Sequence, residues 1–203
     1  MTDQEKLETR ERILKTAASL FYKKGFAGTG VREIAAEANV NIAMISYYFQ
    51  GKNGILKAIM ERYFQLMGSV FKTIDTNLEP EEGIRQIIRK IVRFIHENHE
   101  IVLVFFNEIP FDNPELAEVK IRYMHEILIF VQGYANHFGV GKNKEFIMSI
   151  VGPSLISAIL TNYRLRPFLG KAIGVRADEA YNEAFIETYT QFFLYGIHGF
   201  RKS

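Results

Sequence analysis

Apolar side chains near the start of the chain repeat at spacings of three and four, the pattern of a helix with one buried stripe. Gly25 is expected to end this helix, because glycine readily adopts the left-handed backbone of helix ends. Lys23 and Lys24 fall in the last turn, where cations offset the negative end of the helix dipole. The stripe consists of Leu7, Ile13, Leu14, Ala17, Leu20 and Phe21.

A second, short helix is predicted from the apolar positions Val31, Ile34, Ala35 and Ala38. Gly30 or Thr29 is expected to cap its start, and Glu33 is placed to reach back to the cap amide. Asn39 is expected to end the helix, since asparagine tolerates a left-handed conformation.

A third helix is predicted over 42–49, with Asn41 as its N-cap. Only three or four residues separate it from the second helix. Two short helices joined by so tight a turn are typical of a helix-turn-helix.

Beyond Lys52 the pattern remains helical, with breaks predicted at 79–80, 109–114, 139–143 and 164–178. About six further helices fit between these breaks. The run IVLVFF at 101–106 would locally suit a strand, but helical patterns flank it and we predict a buried helix. Pro153 is expected to kink its helix or to mark a new start. The chain is therefore predicted to be all-α, with about nine helices.

Composition narrows the class of protein. The 203 residues are 48% hydrophobic and 24% charged, as in ordinary globular proteins, and include no cysteine, which excludes disulfides. The longest apolar run has six residues and the N-terminus is charged throughout, so neither a membrane span nor a secretion signal is predicted. We expect a cytoplasmic protein.

Charge is distributed unevenly along the chain. Residues 1–60 carry a net charge of +3, whereas the remainder carries −1. A basic N-terminal module on a nearly neutral body suits an anionic partner, with nucleic acid as the first candidate.

The segment RERILKTAASLFYKKGFAGTGVREIAAEANVNIAMISYYFQGKNGILKAI resembles the N-terminal domain of TetR-family transcriptional regulators. It matches in the ILKTAASLFYKKGF first helix, in the T-x-V-R-E-I-A-x-x-A-x-V second helix, and in the Y-Y-F-x-x-K end of the third. The resemblance implies a DNA-binding domain at 1–50 and an effector-binding and dimerisation domain at 51–203. It also implies a homodimer on a palindromic operator of double-stranded DNA, released by a small molecule.

The third helix is the predicted reader of DNA. Ile45 and Phe49 lie four residues apart and are expected to point inward. Exposed apolar and aromatic residues on so small a helix suit thymine methyls, sugars and phosphates. The residues expected to face outward are Ile42, Ala43, Ser46 and Tyr47.

Further DNA contacts are assigned from the resemblance and from position. Arg32 is the obvious bidentate donor to guanine. The alternative is that Arg32 pairs with neighbours of Glu33 on a solvated face. Lys52 is expected to hold a phosphate at the start of the fourth helix. Thr29, Tyr47 and Tyr48 are further phosphate candidates, and the two tyrosines could instead pack between helices. Many family members have Gly, then Ser or Thr, where this chain has Ala43 and Met44, so the operator sequence does not transfer.

The resemblance also places a possible small apolar or aromatic effector in the body, among residues that could alternatively fill a core. The predicted lining consists of Phe64, Met67, Phe71, Phe94, Phe105, Asn107, Tyr123, His125, Ile127 and Asn162. The last two long helices are the expected dimer interface. Its predicted residues are Gly152, Ser154, Ser157, Ala158, Tyr181, Phe185, Tyr189 and Phe192.

An enzyme would need a catalytic constellation, and the candidates fail on spacing. His96 and His99 lie three residues apart, whereas the zinc-protease motif places its histidines four apart. With Glu100 they could still face one ion, which leaves a metal site as a minor alternative. The loop at 139–142 lacks the Ser or Thr of a phosphate-binding loop. We expect no catalysis, no cofactor and no metal.

The predicted function is that of a TetR-like repressor released by an effector. The alternative is a DNA-bound protein that acts through a protein partner, for example in cell-division control, without a small-molecule effector.

Overall fold

The computed structural model describes residues 2–108, 113–137, 144–174, 176 and 178–196, with the backbone alone at 124, 126–128, 130–137 and 144–148. These residues form helices and no strand, which confirms the all-α prediction. The helices are α1 (Asp3–Lys24), α2 (Val31–Glu37), α3 (Ile42–Phe49), α4 (Lys52–Lys72), α5 (Pro80–Glu97), α6 (His99–Asn107), α7 (Pro114–His137), α8 (Lys144–Ile173) and α9 (Glu179–Tyr195).

The three N-terminal helices begin and end close to where their sequence signals predict. Gly25 ends α1 with a positive φ of 75°, and Gly30 is the N-cap of α2. The start of α1 was not foreseen: Thr2 and Glu5 form a capping box, so the helix begins before the apolar stripe. Leu7 is 60% exposed, and its place in that stripe was wrong. Spacing alone does not reveal where along a helix the packing starts.

The long helix α8 differs most from the prediction. α8 continues through Arg164 to Ile173 and contains both Pro153 and Pro167, so the break predicted over 164–178 begins ten residues too early. Leu155, Ile159 and Leu160 on α8 are buried. Such tertiary packing offsets the backbone hydrogen bond lost at each proline. The break between α5 and α6, at Asn98, was not predicted.

Residues 101–106 lie within α6, whose Val102, Leu103, Val104 and Phe105 are buried, and this confirms a buried helix rather than a strand. The breaks predicted at 109–114 and 139–143 fall largely outside the described residues.

The chain divides into two compact units. The first unit comprises the residues up to Gly68 together with Asn98–His125, and the second comprises Ser69–Glu97 and the residues from Glu126 onward. In the first unit α1 packs on α2 and α6, and α2 packs on α3; in the second, α5 packs on α9 and α8. The division at residues 50 and 51 stays a prediction about function.

Candidate nucleic-acid interface

Helix α3 presents one buried and one exposed face. Ile45 and Phe49 are buried in the first unit, which confirms their inward orientation. Ile42 is 43% exposed and Tyr47 is 69% exposed. The exposed face is completed by Ala43 and Ser46, and the helix carries no charged residue. The outward-facing set is thus the one that the spacing predicted.

The ends of α3 fix its position through local backbone geometry. Asn41 caps the start, where its side-chain oxygen accepts a hydrogen bond of 2.9 Å from the Ala43 amide. Asn39 and Gln50 adopt the left-handed conformation, with φ of 51° and 59°. These residues turn the chain sharply before and after the helix.

Gly54, which no sequence pattern indicated, allows α4 to start directly after α3. A Cβ atom at Gly54 would lie 1.6 Å from the carbonyl oxygen of Phe49, which is far inside van der Waals contact. Only glycine fits this junction.

Lys52, the predicted phosphate ligand, ties the start of α4 to the loop before α2. Its Nζ atom donates to the carbonyl oxygens of Phe26 at 2.8 Å and Thr29 at 3.0 Å. It also lies 4.3 Å from the centroid of the Phe26 ring. An ammonium group has three donors, so two are used within the chain and one remains for an external acceptor.

The predicted phosphate candidates differ in how they present their hydroxyls. The Thr29 side chain is buried and its hydroxyl donates to the Gly25 carbonyl at 2.9 Å. The Tyr48 hydroxyl is also buried, with no hydrogen-bond partner within the described structure. Tyr47 packs edge-on against Tyr48, with ring centroids 4.9 Å apart, and remains exposed. Tyr47 is therefore the hydroxyl best placed to meet a phosphate.

Arg32 is exposed on α2 and forms no salt bridge with any described residue. Its neighbour Glu33 instead pairs with Lys24 of α1. This contact, with help from the Gly30 amide, holds the pKa of the Glu33 carboxyl below its ordinary value. Arg32 thus remains available to an external acceptor.

Several contacts that position the interface had no sequence signal. The Arg12 guanidinium donates to the Ala38 carbonyl at the end of α2, over 2.9 Å. Glu108, after α6, accepts a hydrogen bond of 3.0 Å from the Phe26 amide. Glu100 of α6 accepts one of 2.9 Å from the Ser19 hydroxyl. These partners lie 26 to 82 residues apart in the chain, so no local pattern could reveal them.

The predicted effector-lining residues divide between the two units. In the first unit, Phe64 stacks on Tyr123, with ring centroids 4.2 Å apart, and Phe105 stacks on Tyr63 at 4.0 Å. Met67 is buried, whereas Asn107 and His125 are exposed. The second unit holds Phe71, Phe94 and Asn162, and the Ile127 side chain lies outside the described residues.

A cleft of about 390 Å³ between α4 and α7 is lined by none of these residues. Its lining is mostly charged and consists of Lys57, Glu61, Glu115, Glu118, Val119 and Arg122. Lys57 and Glu115 form a salt bridge of 2.6 Å in this cleft.

The predicted dimer residues lie on α8 and α9. On α8, Ser154 and Ser157 are exposed, while Gly152 and Ala158 are half-buried. On α9, Phe192 is exposed; Tyr181, Phe185 and Tyr189 are half-buried. Large apolar side chains on the same exposed stripe of α8 are Ile150, Leu165 and Phe168.

The sequence profile described as "Bacterial regulatory proteins, tetR family" matches residues 13–59, which contain α2, α3 and most of α1. The N-terminal helices therefore form a DNA-binding domain of the TetR family. The chain is accordingly a DNA-binding transcriptional regulator, and the relatives that it matches are regulators rather than enzymes.

Relatives of known sequence support this assignment beyond the N-terminal helices. The probable HTH-type transcriptional regulator YttP of Bacillus subtilis is 27% identical over 82% of this chain and 88% of its own length. The HTH-type transcriptional repressor NicS of Pseudomonas putida is 29% identical, over 49% of this chain and 48% of its own.

A solved structure of a transcriptional regulator shares the fold. The regulator FadR from Bacillus subtilis, in complex with stearoyl-CoA, superposes with a TM-score of 0.67 at 18% identity. The match covers 93% of this chain and 99% of the other.

Within the described part of the chain, no helix has the length and apolar character that crossing a membrane requires. The same residues contain no group of three histidine, cysteine or acidic side chains that could hold a metal ion.

Proposed function

We propose that this TetR-family regulator is a homodimer that represses transcription by binding a palindromic operator through α3, and that a small apolar or aromatic effector releases it. The observation that carries the proposal is the exposed, uncharged face of α3. A solvated helix gains nothing from exposing Ile42 and Tyr47, whereas a helix in the major groove can place them on thymine methyls and sugars.

Cations on either side of α3 suit the phosphate backbone. Arg32 has no salt-bridge partner among the described residues, and the Lys52 ammonium keeps one donor for an external acceptor. Contacts of this kind set the register of a protein on the duplex without reading its sequence. Residues of α3, namely Ile42, Ala43, Ser46 and Tyr47, then act as the readers.

The stripe of α8 residues Ile150, Ser154, Ser157, Leu165 and Phe168 supports dimerisation. These five residues are exposed and uncharged, a composition that suits a stable subunit interface. Leu165→Glu should therefore convert a dimer to monomers in sedimentation equilibrium. A wild-type monomer at micromolar concentration would contradict the dimer.

The effector part of the proposal rests on the family. The FadR structure binds stearoyl-CoA, and NicS is described as a repressor. If an effector lowers the affinity of the protein for its operator, operator DNA must lower the affinity for the effector by the same factor, because the coupling between two sites is reciprocal. The relatives named above are described as transcriptional regulators, and the alternative of a purely protein-mediated role is not favoured.

The decisive experiment is selection of bound sequences from a random duplex library. We expect a palindrome whose half-sites lie about one helical turn, or 34–36 Å, apart. Enrichment of a single asymmetric site would contradict binding as a homodimer. Failure to enrich any duplex would contradict the proposed function itself.

A further inference from the structure

Arg166 is the one charged side chain of the described residues that is buried, and the DNA-binding proposal gives it no role. It lies in the second unit, near the C-terminal end of α8, and is 8% exposed. At about 100° per residue, it shares the inner face of α8 with the buried Leu155 and Ile159. The charge therefore lies on the packed side of α8.

No carboxylate among the described residues balances this charge. The guanidinium carbon lies 5.3 Å from the ring centroid of Tyr163 and 5.1 Å from that of Tyr181. Its hydrogen bond, from Nε to the side-chain oxygen of Asn162, is long at 3.5 Å.

A buried arginine stays charged, because its guanidinium does not release its proton at neutral pH. Burial lowers the pKa of Arg166, but a guanidinium remains protonated in proteins at neutral pH. The two rings stabilise the cation only partly, because a cation–π contact is weaker than a buried ion pair. An anion is the partner that would complete this environment.

The side chains around Arg166 are already fixed in place. The Asn162 amide donates to the Tyr181 hydroxyl over 2.7 Å, which links α8 to α9. With Nε directed at Asn162, the terminal nitrogens of the guanidinium keep their donors. This planar fork matches the two oxygens of a carboxylate.

We propose that Arg166, positioned by Asn162 and Tyr181, binds the carboxylate of a small organic acid whose remaining part is apolar. This proposal names the chemical class of the effector. Its role in regulation rests on the proposed function. The apolar part is inferred from the inner face of α8, on which Ile159 and Leu155 lie about two and three turns from the arginine.

A carboxylate from a second copy of the chain is the less favoured partner. The exposed stripe of α8, represented by Ser157, Leu165 and Phe168, lies more than about 90° around the helix from Arg166. The guanidinium thus lies against Tyr181 of α9, on the side of α8 opposite this exposed stripe.

The test is calorimetric titration of the full chain with octanoate and benzoate, each compared with its neutral amide. We expect at least one acid to bind about tenfold or more tighter than its amide, as charge-assisted hydrogen bonds require. Arg166→Met should abolish this preference, and Arg166→Lys, which keeps the charge without the fork, should reduce it several-fold. Arg164→Met, a matched change at an exposed arginine of the same helix, should preserve it.

The outcomes separate this inference from the proposed function. If neither acid is preferred over its amide, or if the preference survives Arg166→Met, the site does not exist. If Arg166→Met yields monomers in sedimentation, the arginine serves the dimer and the inference is overturned. Operator binding by the acid-free protein is measured separately, and its failure would remove the regulatory role without touching the acid preference. If Arg166→Met does not fold, the preference of Arg166→Lys for the acid over its amide is compared with that of the wild type instead.

Discussion

Replacing Lys52 by alanine separates two roles that the structure gives to one ammonium group. Inside the chain, Lys52 donates to the carbonyls of Phe26 and Thr29 and lies over the Phe26 ring. Because the site is half-buried, water can reach part of the freed carbonyls, and we expect a loss of about 2 kcal/mol in the free energy of unfolding. For a chain of this size that loss lowers Tm by about 4–8 °C.

Outside the chain, the third donor of Lys52 is proposed to bind a phosphate. Losing one phosphate contact reduces the slope of log affinity against log salt by about 0.9 per protomer, and so by about 1.8 for a dimer. Affinity should fall equally for specific and unrelated duplexes, because a phosphate contact carries no sequence information.

The assay is fluorescence anisotropy with a selected and a scrambled duplex over a range of KCl concentrations, alongside thermal unfolding. Lys72→Ala is the matched control, since Lys72 is an exposed lysine at the other end of the same helix, and it should leave both quantities unchanged. A fall in Tm with an unchanged salt slope would show that Lys52 only holds the loop, and the phosphate role would be refuted.

Three other predictions follow from single features of the structure. Ser46→Arg should change which base is preferred at one position of each half-site, and an unchanged selection profile would exclude α3 as the reader. Gly54→Ala should lower the free energy of unfolding by roughly 2–4 kcal/mol, because the new Cβ would clash with the Phe49 carbonyl. Gly68→Ala, in open space on the same helix, should instead raise it by about 0.5–1 kcal/mol. Denaturant titration measures both values, and equal effects of the two substitutions would contradict the steric argument. Burial lowers the pKa of Lys120 to about 8 from an ordinary 10.5, so between these pH values the unfolded chain binds a proton that the folded chain lacks. The free energy of unfolding should therefore rise with pH across that window, by about 1–3 kcal/mol relative to Lys120→Met. A difference between the two proteins that does not change with pH would refute the pKa shift.

The sequence predicted the parts of the interface that depend on neighbours in the chain. Asn39 ends α2 and Asn41 caps α3, and both act within a few residues of themselves. The inward turn of Ile45 and Phe49 follows from the helical period alone. Such features need no knowledge of the tertiary fold.

The parts that the sequence did not predict depend on residues far apart. Lys52 meets the Phe26 and Thr29 carbonyls across more than twenty residues, and Glu108 meets the Phe26 amide across 82. The continuation of α8 through Pro153 depends on how its inner face is packed. The buried charge of Arg166 is likewise set by surroundings that no spacing rule describes.

The absence of charge on α3 has a consequence for how the operator is distinguished. Arginine or asparagine on a recognition helix reads a base through paired hydrogen bonds, whereas Ile42, Ala43 and Tyr47 offer mainly apolar contacts. Apolar contacts favour thymine methyls but discriminate weakly among the other bases, so much of the discrimination must come from Ser46 and from the shape of the duplex. Affinity must then come largely from phosphates. We therefore expect operator binding that is steeply salt-dependent, with selectivity spread over several positions, and a profile dominated by one invariant guanine would show that Arg32 is the principal reader instead.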